Sequence, residues 1–126
     1  MKTNTLTIVS LITIILVPLH IGGDVVLGLD RGGPGLFFVV VPVLLVLACG
    51  TLMLAERRSG HIIMFIGGLA ALAMPFIHRN NGFTAAVARS PGGLLFIWTL
   101  IALGVTGGLA MILSARGLWR LRSRKT

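Results

Sequence analysis

Ser10, Thr13, Val17, His20 and Asp24 are spaced three, four, three and four residues apart, the repeat that places side chains on one face of an α-helix. That face leads from two hydroxyls to an ionisable pair. With His20 and Asp24 four apart, the carboxylate is in reach to accept a hydrogen bond from the imidazole and fix its tautomer. His78, at the corresponding end of a later apolar run, falls at the same depth. His20, Asp24 and His78 are therefore the candidate ligand or proton site. Two imidazoles and a carboxylate suit a proton relay, since His titrates near neutrality, a divalent metal, or a polar ligand. The alternative is that all three sit at a water interface, where ionisable groups are cheap and need no function.

A second candidate cluster is softer: Cys49, Met53, Met64 and Met111 offer a thiol and three thioethers that would suit Cu(I). Ordinary packing explains the same residues more simply. With one cysteine the chain builds no intramolecular disulfide and no CxxC site. No GxGxxG, P-loop or HExxH pattern occurs. No catalytic residue is assigned, the expectation leans away from an enzyme, and the cofactor is left open.

The elements that must position these residues follow from composition. The chain has 126 residues, 56% of them hydrophobic and only 11% charged, with a mean hydropathy of +1.00, a composition that belongs in lipid. Four apolar stretches, 6–24, 36–55, 61–78 and 93–115, approach or reach the roughly 20 residues that a helix needs to cross a bilayer. The alternating ten-residue segments of a barrel are absent, so helices are the only way to satisfy the backbone in lipid. The first stretch lacks a small-x-small cleavage site and reads as an uncleaved helix. The expected fold is all-α: one membrane domain over 1–126, a four-helix up-down bundle with a basic tail at 116–126.

The formal charge of +8 sorts by side. Lys2, Arg57, Arg58, Arg116, Arg120, Arg122, Arg124 and Lys125 fall on one side of a four-span arrangement, and Arg31, Arg79 and Arg89 on the other. The positive-inside rule makes the first side, with both termini, cytoplasmic. Trp98 and Trp119 then mark the outer and inner interfaces. The basic tail reads as a topology anchor touching anionic lipid headgroups. Nucleic acid is disfavoured as a partner, because no recognised binding fold accompanies the charge. Pro18, Pro42 and Pro75 fall in the outer halves of their spans, and three kinks there would splay the bundle into an outward vestibule beside the histidines. The segment Phe83 to Arg89 has the makings of a short interfacial helix. Gly104 with Gly108, and Gly67 with Ala71, form small-xxx-small pairs that let helices approach closely, within the bundle or between copies.

The stretches LAERRSGHIIM (Leu54 to Met64) and FIWTLIALGVTGGLAMILSARGLW (Phe96 to Trp119) resemble those of small four-span bacterial membrane proteins of unassigned function. The resemblance implies a multi-pass protein of the bacterial inner membrane and carries over no site residue. Small multidrug-resistance transporters are a poor comparison, since the first span has no glutamate. The polar and aromatic pore motifs of fluoride channels are not matched. Disulfide-forming membrane oxidoreductases need paired cysteines, and di-haem cytochromes several histidines within spans. The expected function is a non-enzymatic accessory or assembly subunit of a larger membrane complex, or a homo-oligomer. The alternative is a small carrier or ligand-binding protein whose vestibule is lined by His20, Asp24 and His78.

Overall fold

The computed structural model describes residues 4–30 and 32–123; Lys2, Arg31, Arg124 and Lys125, four of the charges sorted above, lie outside the described residues. The elements are α1 (Thr5–Val26), α2 (Pro34–Leu52), α3 (Arg58–Ile77), the short α4 (Ala85–Arg89) and α5 (Gly93–Ser123), with no strand among the described residues. α1, α2, α3 and α5 are each long and apolar enough to cross a membrane. The fold is all-helical and that of a multi-pass membrane protein.

Local chemistry explains where the helices begin. Asn4 caps α1 by accepting the Thr7 amide at 2.8 Å, and Thr84 caps α4 by accepting the Val87 amide at 3.2 Å, each satisfying a donor the helix leaves free. Pro34 opens α2, where its missing N–H is no loss. Pro18, Pro42 and Pro75 lie inside α1, α2 and α3, which run on through them. α5 continues past its apolar stretch to Ser123 and carries Arg116, Arg120 and Arg122 as helix.

The most extensive packing joins α3 to α5. A Cβ placed on Gly68 would lie 2.7 Å from the Gly107 carbonyl oxygen, and one on Gly107 would lie 2.7 Å from both the Gly68 oxygen and the Ala71 Cβ. The two backbones therefore touch, which only glycine permits. The expected small residues lie in or beside this seam: Ala71 meets Gly107, Gly104 meets Pro75, and Gly67 meets Leu47 of α2. Gly108 is looser, with Leu72 at ordinary contact distance. α2 is held more lightly, burying only Leu47, Gly50 and Thr51.

At the other end of the seam, Val87, Phe96 and Leu100 form a buried cluster with Leu27, Met74 and Ile97 packed on it. Leu100 is wholly buried, so Leu100→Ala should leave a cavity and cost about 2–3 kcal/mol. Denaturation in detergent checks this against Val105→Ala, at an exposed position on the same helix, which should shift stability little.

Candidate functional site

The interior face of α1 is the polar one. Ser10, Thr13, His20 and Asp24 are all buried, with half-buried Val17 between them. His20 is only 2% exposed and Asp24 8%, so both side chains are packed within the protein. His78, the C-cap residue of α3, completes the group.

The three side chains converge. His20 Nε2 lies 3.3 Å from Asp24 Oδ2, and His78 Nε2 lies 3.2 Å from Asp24 Oδ1. One ligand atom from each residue falls within 4.8 Å of the others. The imidazoles meet edge to face, with centroids 4.9 Å apart. Phe96 stacks on His20 at 4.9 Å and meets His78 edge-on at 5.9 Å. Gly23 makes room for that ring, since a Cβ there would lie 2.9 Å from Phe96 Cδ2.

The outer nitrogens of both rings are held as well. His78 Nδ1 donates to the Met74 carbonyl at 3.2 Å; a carbonyl only accepts, so the hydrogen is on Nδ1. Thr99 Oγ1 donates its one hydrogen to the Phe96 carbonyl at 2.7 Å, so it accepts from His20 Nδ1 at 3.5 Å. In each neutral ring the lone pair is then on Nε2, facing Asp24. His20 Nε2 and Asp24 Oδ1 are buried with no hydrogen-bond partner in the protein.

The trio forms part of the wall of a cleft of about 770 Å³ between α1, α2 and α3, a volume typical of small-ligand sites. Val17, Pro42, Val46, Ile66 and Ala70 give its apolar wall, and Asp30 adds a second carboxylate. No Lys or Arg is among the described residues that line it.

Two members of the sulfur cluster point different ways. Cys49, which is exposed, donates to the Met53 thioether at 3.8 Å, whereas Met64 is buried, its thioether 2.8 Å from Thr51 Oγ1, whose hydrogen goes to the Leu47 carbonyl. Sequence reasoning missed Phe96, Thr99 and the Met74 carbonyl. The signal for Thr99 was its polarity nearly two helical turns into an apolar span.

The chain matches no family model, no curated protein and no solved structure.

Proposed function

We propose that this protein is a small carrier or ligand-binding protein of a bacterial inner membrane, and that it takes a small cation into the cleft between α1, α2 and α3. The observation that carries the reading is the convergence of buried His20 and Asp24 with half-buried His78 on the cleft wall. The charge of the ligand follows from the surroundings. Asp24 lies in the last turn of α1 and His78 caps the C-terminus of α3, and neither last turn holds a basic residue. Two negative helix ends and a carboxylate favour a cation.

The reading places both termini inside, with the cleft reached from outside. It is supported by the bias of basic side chains toward the far end of the bundle, where Arg58 and Arg122 line one groove with Trp119 and anionic headgroups would be attracted, although Arg79 and Arg89 fall on the side of the site. The small-residue pairs that suggested an accessory subunit or a homo-oligomer are occupied within the chain, against Leu47, Pro75, Gly107 and Leu72. The site, more than any partner face, therefore carries the proposal.

Access to the cleft provides the test. In a Cys49→Ser background, Val17→Cys should react with a membrane-impermeant cationic thiosulfonate applied from outside, because Val17 lines the cleft. Ile15→Cys, two positions away on the exposed side of α1, should stay unlabelled in lipid. Equal silence at both positions would show a cleft closed to water and end the carrier reading.

A further inference from the structure

We infer that the cation is a divalent metal ion of the Zn²⁺ class, bound by His20 Nε2, His78 Nε2 and an Asp24 carboxylate oxygen. This rests on the cation-binding reading above and names its ligand.

Hydrogen-bond accounting makes the case. The Nδ1 hydrogens of both rings are committed, to the Met74 carbonyl and to Thr99 Oγ1. In the neutral rings, two nitrogen lone pairs and a carboxylate face one another in a buried space. A donor or a cation has to lie between them: a proton, a water molecule or a metal ion.

The distances leave room for an ion. Charge-assisted N–H···O contacts shorten to about 2.7–2.9 Å, yet the two contacts here are 3.3 and 3.2 Å. His20 Nε2 and Asp24 Oδ1 form no hydrogen bond within the protein. Ligands held at about 2.0–2.2 Å around a tetrahedral ion sit roughly 3.3–3.6 Å from each other. The two separations, each to a different Asp24 oxygen, lie at or just below that range, and one ligand atom from each of the three residues falls within 4.8 Å of the others, so a small inward shift would close the set on an ion.

The surroundings match those of a metal site. Metal-binding histidines commonly donate the remote ring N–H to a carbonyl or another oxygen, which fixes the tautomer and aims the free nitrogen at the ion. His78 does this through Met74, and His20 through Thr99. Phe96 packs against both rings and limits their rotation. Two imidazoles with one carboxylate are a common zinc ligand set, leaving a fourth position for water or another ligand. Here that position is supplied by the cleft, whose wall the three residues share with Asp30. A three-ligand site open to a cleft suits an ion that comes and goes.

Cobalt(II) is the probe, because its visible absorption reports coordination directly. Purified full-length protein in detergent should bind one Co²⁺ with the intense visible bands of a near-tetrahedral site, and Zn²⁺ should displace it. Asp24→Asn keeps the shape of the side chain and should weaken Co²⁺ binding more than about 100-fold. His61→Ala removes the third histidine, which lies outside the group, and should change nothing. If Asp24→Asn fails to fold, His78→Cys in the Cys49→Ser background decides: a thiolate ligand should add a near-ultraviolet charge-transfer band. The inference is overturned if the parent binds no stoichiometric Co²⁺ or Zn²⁺, if binding survives Asp24→Asn, or if Co²⁺ bound to the cysteine variant shows no thiolate band. A cleft that reacts with the thiosulfonate in a protein that binds neither metal would overturn the metal and leave the carrier reading standing.

Discussion

Gly68→Leu is expected to abolish the fold. Detergent-solubilised protein should elute as aggregate and lose its near-ultraviolet circular dichroism, while Gly108→Leu stays folded. A Cβ at Gly68 would lie 2.7 Å from the Gly107 oxygen and 2.8 Å from the Met111 amide nitrogen. Both are backbone atoms, so no rotamer change relieves the clash; α3 and α5 must separate. In lipid, little hydrophobic force opposes separation, because tails cover an exposed leucine as well as a neighbouring helix does. The lost packing is therefore not recovered, and the cost should exceed about 4 kcal/mol, beyond the range of ordinary substitutions. Gly108 meets only the flexible end of Leu72, at 3.5 Å, and has room to adjust. Separation would also part His78, at the end of α3, from Phe96 on α5, so metal binding should fail in the same variant. A Gly68→Leu protein that melts within a few degrees of its parent would show that the seam is not what holds the bundle.

That contrast also explains why the packing was only half legible in the sequence. Small residues mark a helix face, but Gly67-Gly68 and Gly107-Gly108 are doublets, and adjacent residues point about 100° apart on a helix. Spacing alone picks Gly67 with Ala71 and Gly104 with Gly108, whereas the rotation of α3 against α5 selects Gly68, Ala71 and Gly107. Rotation is a tertiary property that no single span encodes. The site was more legible. His20 and Asp24 are read from one helical repeat, and His78 from its place at the end of an apolar run. Phe96 and Thr99 were not legible as partners, because the contact from Thr99 to His20 spans 79 residues and depends on which face α5 presents. The Met74 contribution is a backbone carbonyl, which has no sequence signature. Helix in the basic segment was hidden for another reason: the apolar pattern ends near Ala115, but Arg and Leu are good helix formers and carry α5 to Ser123.

Asp24→Leu alone should destabilise the metal-free protein by about 3–5 kcal/mol, while Asp24→Leu combined with His20→Leu and His78→Leu should restore stability to the level of the parent or above. The single change removes the carboxylate that faces both rings and leaves the buried His20 nitrogen and the half-buried His78 nitrogen against a methyl group. Taking one partner from a buried polar group costs its uncompensated desolvation. Replacing the whole group with apolar side chains removes that penalty, and exchanges of this kind are often neutral or stabilising by about 1–4 kcal/mol. The residues are in contact, so their effects should be strongly non-additive, and that departure from additivity is the measured quantity. Chemical denaturation in detergent, with a chelator present, gives all the values needed. A group kept to hold the helices together should behave differently: the triple variant would be at least as unstable as Asp24→Leu, because the group's interhelical contacts would be lost with nothing regained. Recovery in the triple variant together with complete loss of Co²⁺ binding would mean that these residues are held at the cost of stability, for what they bind.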